Sequence, residues 1–229
     1  MIDIENGCAL LINKPYTWTS FQVVNKMKYF IKHKYGIKKI KIGHAGTLDP
    51  LASGLLIVCV GKFTKKIDEF QASEKEYIGT FRLGATTPCY DLEKPIDHIY
   101  PYDHISEEDI LLAAKQFTGV IDQVPPIFSA VWVNGKRAYE LARENKDIEL
   151  KSKQITISEF EITRINLPDI DFRIVCSKGT YIRSIARDFG ITLNSGAHLT
   201  SLTRTRIGSF LLEDAMEINE FDTSNFKNI

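Results

Sequence analysis

Hydrophobic and polar positions alternate along this chain in two different rhythms. Val23, Val24, Met27 and Ile31 recur at helical spacing between Ser20, read as an N-cap, and Gly36, read as the stop. Leu55-Leu56-Ile57-Val58-Cys59-Val60 is a short unbroken apolar run bounded by Gly54 and Gly61, the pattern of a central strand buried on both faces. From Tyr77 to Leu83 the period drops to two, with Tyr77, Phe81 and Leu83 on one face and Ile78, Thr80 and Arg82 on the other. Ser106 and Asp109 make a capping box for a helix with Ile110, Ala113, Ala114 and Phe117 on its apolar face, ending at Gly119. Val131-Trp132-Val133 runs into an Asn134-Gly135 turn. Strands are expected again at Ile155–Ile162 and Phe172–Cys176. Thr180 then caps a helix with Ile182, Ile185, Ala186 and Phe189 inward, closed by Gly190.

Hairpins and helices mix without a steady βαβ rhythm, so the fold class is α+β with a mixed, mainly antiparallel sheet flanked by helices. No internal repeat or linker interrupts the 229 residues, and one catalytic domain over 1–229 is expected. The last seventeen residues, acidic and polar, read as a short helix and a fraying tail, with the tail region starting at about 211.

Composition changes this picture little; charge distribution changes it more. Net charge is zero, which by itself argues against a polyanionic partner. Yet no acidic residue lies between Glu5 and Asp49, while lysines stand at 14, 26, 28, 32, 34, 38, 39 and 41. A second basic group comprises Lys178, Arg183, Arg187, Arg204 and Arg206, and acidic residues gather at Asp103–Asp109 and Glu213–Asp222. Local fields steer a polyanion, although a lysine run is also what a solvated helix face looks like. No apolar run is long enough to span a bilayer, and the first residues lack the pattern of a secretory signal. Cys8, Cys59, Cys89 and Cys176 are widely spaced, as free thiols of a reducing cytosol would be, and the chain is read as cytoplasmic.

Candidate chemistry is sparse. The histidines 33, 44, 98, 104 and 198 have no metal-ligand spacing. There is no phosphate loop or dinucleotide fingerprint, and Ser53 lacks the frame of a nucleophile elbow. Asp49 sits in a glycine-bearing loop just before the buried strand. A lone loop Asp is ordinarily a turn former or cap, but this one is where a scaffold could hold a carboxylate rigidly. Arg183 could pair with it and keep it ionised, and Tyr77 and Tyr181 could offer flat faces to a base. Each also has an ordinary reading, as a strand aromatic or a surface cation.

Taken together the blocks become specific. Gly43-His44-Ala45-Gly46-Thr47-Leu48-Asp49-Pro50-Leu51-Ala52-Ser53-Gly54-Leu55-Leu56 closely resembles the catalytic motif of the bacterial tRNA pseudouridine-55 synthases. The resemblance continues in Lys75-Glu76-Tyr77-Ile78-Gly79-Thr80-Phe81-Arg82-Leu83-Gly84, in Pro125-Pro126-Ile127-Phe128-Ser129-Ala130 with Gly135-Lys136-Arg137-Ala138-Tyr139, in Cys176-Ser177-Lys178-Gly179-Thr180-Tyr181-Ile182-Arg183-Ser184-Ile185, and in Gly196-Ala197-His198-Leu199 leading to Leu202. It implies an RNA cleft across the sheet and isomerisation of one uridine in the T-loop of tRNA, with no metal and no cofactor; a monomer is expected. It implies Asp49 as nucleophile, His44, Tyr77, Tyr181 and Leu202 as substrate contacts, and Arg183 as the carboxylate's partner. A tRNA-folding chaperone without catalysis and a guide-dependent synthase of the related archaeal and eukaryotic type are the rival readings.

Three departures stand out. In Lys14-Pro15-Tyr16-Thr17-Trp18-Thr19-Ser20, Thr17 occupies the family's usual glycine position, costly wherever φ is positive. Between Ala85 and Glu93 only Asp91 remains of the family's usual aspartates. The C-terminal PUA-type RNA-binding domain of many members is not expected here, which would leave RNA affinity to the catalytic domain and its lysines.

Overall fold

The computed structural model describes residues 6–129, 131–133, 135–144 and 150–218. In chain order the elements are β1 (Cys8–Lys14), α1 (Ser20–Tyr35), β2 (Ile42–His44), β3 (Ser53–Val60), a 3-10 turn (Gly61–Lys66), α2 (Ile67–Ala72), β4 (Lys75–Leu83), β5 (Ala85–Thr86), β6 (His98–Ile99), α3 (Glu107–Gln116), β7 (Gly119–Gln123), β8 (Trp132–Val133), β9 (Lys136–Arg137), α4 (Ala138–Arg143), β10 (Lys153–Asn166), β11 (Asp169–Cys176), α5 (Ile182–Thr192), β12 (Ala197–Ile207), β13 (Phe210–Leu211), a 3-10 turn (Leu212–Asp214) and β14 (Met216–Glu217). The chain divides into two compact units, one of Met1–Tyr77 with Leu202–Ile229 and one of Ile78–Ser201.

In the first unit β3 is the centre. It pairs antiparallel with β1 along its whole length, from Cys8↔Val60 to Lys14↔Gly54. Its other edge is shared: β12 runs parallel to its start and β2 antiparallel to its end. Leu56, Val58 and Val60 pack with Val23, Met27 and Ile31 of α1. On the opposite face Leu55, Ile57 and Cys59 meet Ala9, Leu11, Ala45 and Ile207. Burial of both faces explains the unbroken apolar run.

In the second unit β10 takes β11 on one side and β7 on the other, both antiparallel. Its core is aromatic: Phe81 stacks on Phe172 with ring centroids 4.1 Å apart, and Phe160 and Phe189 close around Phe81. Gly79 admits this packing, because a Cβ there would lie 2.4 Å from the Ser201 carbonyl oxygen. The sheet pairings are mixed and mainly antiparallel and the helices are interspersed, so the α+β expectation holds.

Four sequence expectations are corrected. The N-cap of α1 is Thr19, in a reciprocal box with Gln22, and Ser20 is the first helical residue. Helix α5 begins at Ile182 after Tyr181, while Thr180 instead closes a turn by donating to the Ser177 carbonyl, 2.9 Å. Gly190 lies inside α5; its missing Cβ admits the Ala197 backbone, and Asn194 (φ +51°) follows the helix in the left-handed region. Residues 212–217 form a 3-10 turn and β14, which pairs parallel with β1, in place of the expected short helix. Asn134 of the expected turn and the tail beyond 218 lie outside the described residues. The four cysteines are buried and none forms a disulfide.

Candidate active site

In the first unit the loop between β2 and β3 is held from every side by backbone-directed bonds. Ala45 N–H donates to Ile57 O at 2.9 Å, continuing the β2 ladder. The Ser20 hydroxyl accepts from Leu48 N–H, 2.8 Å, and donates to Leu48 O, 3.1 Å, gripping the residue before Asp49. Asp49 itself is half-buried, and its carbonyl closes a turn by accepting from Ala52 N–H, 3.1 Å. Thr17 N–H then bonds Pro50 O at 2.8 Å, with Thr17 at φ +72°. The position does require a left-handed residue, and the β-branched Thr adopts it at a cost.

Two buried cations complete this frame. Lys14, fully buried, donates to the carbonyls of Trp18 (2.5 Å), Pro15 (2.9 Å) and Pro50 (3.5 Å). Burial, with a smaller push from Arg204 and against the pull of Asp49, lowers its pKa to about 8. Arg204, 1% exposed, donates from Nε to Leu55 O (2.8 Å) and from Nη2 to Gly46 O (3.2 Å). Gly54, at φ +106°, lies against the Arg204 backbone, where any Cβ would fall 2.4 Å from its carbonyl oxygen. His44 ends β2 half-buried. Burial first, and then the Arg204 charge, lower its pKa despite an opposing bond to the Gly46 backbone, so the ring is neutral at neutral pH. Its buried Nδ1 has no hydrogen-bond partner. Leu202 is buried in β12 two residues before Arg204, and Tyr77 is 9% exposed in β4.

In the second unit the chemistry gathers at the start of α5. The Arg183 guanidinium, on a residue 5% exposed, donates from Nη1 to Cys89 O (3.1 Å) and from Nη2 to Phe128 O (3.0 Å). Its Nε lies 3.5 Å from Oδ2 of Asp91, itself buried. Asp91 follows a tight turn: Tyr90 sits at φ +64°, its N–H bonds Thr87 O, and Arg187 lies over its ring at 5.0 Å. Thr87 Oγ1 donates to the Asp91 carbonyl, 2.6 Å. Tyr181, partly exposed, is held through its backbone by the Gln123 side chain.

Sequence reasoning placed His44 and Asp49 in one loop; Asp49 is in the loop, whereas His44 is the last residue of β2, paired with Val58. Sequence reasoning missed Lys14, Ser20, Arg204 and Gln123. Lys14 and Arg204 belong to the two basic groups of the sequence, yet both are interior. Of that second group, Arg187 pairs with Asp188 and Arg206 with Glu74 and Glu76. The exposed positive charge of the first stretch is carried by Lys26, Lys28, Lys34, Lys38, Lys39 and Lys41. Among the described residues no group of three or more His, Cys, Asp or Glu is placed to hold a metal ion, and no helix is long and apolar enough to cross a membrane.

The chain is similar in sequence and in fold to known proteins. The profile of the TruB family pseudouridylate synthases (N terminal domain) matches residues 32–182. The tRNA pseudouridine synthase B of Phocaeicola vulgatus is 57% identical over 220 residues, spanning 96% of this chain and 94% of that protein. Its namesake in Flavobacterium johnsoniae is 60% identical over 219 residues, spanning 95% and 96%. Among solved structures, a Cbf5-Nop10-Gar1 complex superposes with TM-score 0.70 at 30% identity, covering 95% of this chain and 54% of that one. An H/ACA RNP bound to a substrate RNA containing 2'-deoxyuridine gives 0.67 at 27% identity, covering 95% and 52%. This chain belongs to the TruB family of pseudouridylate synthases.

Proposed function

We propose that this chain isomerises uridine to pseudouridine in tRNA, acting on position 55 of the T-loop with Asp49 as the nucleophile. The observation that carries the reading is the frame around Asp49: Ser20, Thr17, Lys14 and Arg204 all fix backbone on either side of the one carboxylate of the motif. Preorganisation of this kind is what a nucleophile needs.

The reaction breaks N1–C1′ and makes C5–C1′; the C5 proton leaves and N1 gains one, so composition is unchanged. The uridine must first leave its stack, at a cost of a few kcal/mol. Tyr77 stacks on the extruded base and accepts the C5 proton. Neutral His44 fills the vacated place in the RNA. Tyr181 and Leu202 line the base. Arg183 is assigned to hold the Asp49 carboxylate ionised, through a planar contact that Lys cannot copy. The enzyme acts as a cytoplasmic monomer that reads the folded shape of the T-arm. The guide-dependent alternative is disfavoured: the tRNA synthase relatives match over nearly their whole length, and the RNP protein over about half of its own.

Asp49→Asn is expected to abolish tritium release from 5-tritiated uridine in unguided tRNA transcript while leaving tRNA affinity within about threefold, since the pocket keeps its shape. Turnover by the variant would overturn the assignment.

A further inference from the structure

Gln123 is the last residue of β7 and is 2% exposed. Its Oε1 accepts from Tyr181 N–H at 2.8 Å and its Nε2 donates to Tyr181 O at 3.1 Å. The amide orientation is fixed by these partners, because the N–H must face oxygen and the carbonyl must face nitrogen. One side chain thus makes the two-bond pairing that a neighbouring strand residue would make. It does so at Tyr181, the N-cap of α5, which has no side-chain cap of its own. The same segment continues the contact: Val124 O accepts from Ser184 Oγ (2.8 Å) and Arg187 Nη2 (3.3 Å), and Phe128 O from Arg183 Nη2. Asn is a methylene too short to span both Tyr181 atoms, and Glu, when ionised, turns a second acceptor onto the Tyr181 carbonyl.

We propose that Gln123 is a positioning residue of the reaction: it fixes the main chain of Tyr181, and with it the start of α5 from which Arg183 projects. The inference rests on the reading of Tyr181 and Arg183 as site residues. Gln123 is assigned no contact with substrate; it sets where the base-lining Tyr181 and the carboxylate partner Arg183 are held.

Gln123→Glu tests this through pH. The buried carboxyl, once protonated, again offers one O–H donor and one acceptor to Tyr181; ionised, it repels the carbonyl. Lys153 stands opposite in the β10 ladder, Asp122 precedes it, and Arg183, Arg187 and Asp188 belong to the facing helix, so the protonation range is read from the variant itself. At about pH 8.5 the variant is expected to lose roughly 10–100-fold in kcat with KM for tRNA within about twofold, the scale of a sub-ångström to ångström misplacement. Its kcat relative to wild type is expected to climb as pH falls toward about 5.5, as the group neutralises. Gln123→Met, without a titrating group, is expected to show the same loss and no recovery. Equal kcat in the Met variant and wild type, or a Glu-to-wild-type ratio flat with pH, overturns the assignment. So does loss of the folded circular dichroism signal in both variants at high pH, which would make Gln123 a folding residue. Failure of the wild type to form pseudouridine would count against the functional reading instead, so the two are told apart.

Discussion

The two units each bury arginine, but they treat its charge differently. Arg204, and Lys14 beside it, direct their hydrogen bonds to backbone carbonyls: Leu55 and Gly46 for the one, Trp18, Pro15 and Pro50 for the other. Arg183 also takes two carbonyls, but Asp91 stands at its Nε. Carbonyl dipoles solvate a cation without cancelling it, so the Asp49 loop keeps net positive surroundings, whereas Arg183 is oriented by a carboxylate as well as by dipoles. Each region also places a non-glycine residue in the left-handed region near its carboxylate, Thr17 in the frame of the Asp49 loop and Tyr90 before Asp91. The first region is built to present a field, the second to fix a plane.

The strongest way to break this contrast is Arg204→Met. The apolar stem is kept, but the Leu55 and Gly46 carbonyls lose their donors at about 1–3 kcal/mol each, offset in part by removing a buried charge. A net loss of about 3 kcal/mol in denaturant unfolding is expected, with activity falling as the motif loop loosens; a loss below about 1 kcal/mol would show that Arg204 does not hold the loop.

Lys14→Met sharpens the contrast by removing the titrating cation. The folded protein releases the Lys14 proton near pH 8, while an unfolded lysine keeps it to about 10.5. The unfolded chain therefore binds more protons between these values, and wild-type stability gains as pH rises through the window. Measured against Lys14→Met, that gain should approach about 3 kcal/mol, with the charged-lysine cost fully present below pH 8. A difference that does not change between pH 8 and 10 would refute it.

The smallest effect is expected at Thr17. Releasing the β-branched residue from φ +72° recovers about 1–2 kcal/mol of strain and returns about 0.5–1 kcal/mol of glycine entropy cost. Thr17→Gly should therefore stabilise by about 0.5–1 kcal/mol in thermal unfolding, with the Thr17–Pro50 bond retained. A destabilised variant would mean that the Thr side chain contributes more than its backbone costs.

Periodicity made most of the fold legible. The inward face of α1 was readable as Val23, Val24, Met27 and Ile31 because nothing else competes for its core-facing stripe. Boundaries failed where two residues could serve one role: Thr19 and Ser20 are both good caps, and the backbone made Ser20 a clamp for Leu48 instead. At α5, Thr180 had a local turn to close, and Gly190 was needed for close packing, so both were misleading punctuation. The pair β5–β6 is two residues per strand, too short for any period, whereas the equally short β8–β9 was legible from the turn residues that follow Val131-Trp132-Val133. Asp49 and His44 were legible through the motif, but the groups that hold their loop were not. A buried Lys14 or Arg204 looks in sequence like any surface cation, since its partners are carbonyls that belong to every residue. In sequence Asp91 is only the aspartate that remains between Ala85 and Glu93, and its place against Arg183 gives it a structural role.

The burial of Cys8, Cys59, Cys89 and Cys176 has a practical side. Each is at most 2% exposed, and burial, with Cys8 nearby, holds the Cys59 thiol up at about 12. A thiol-directed dye needs access, and none of the four native thiols offers it. A single cysteine introduced at an exposed position such as Ile191 would then be the sole reactive handle, ready to carry a fluorophore that reports on RNA without first stripping the protein of its own sulfur.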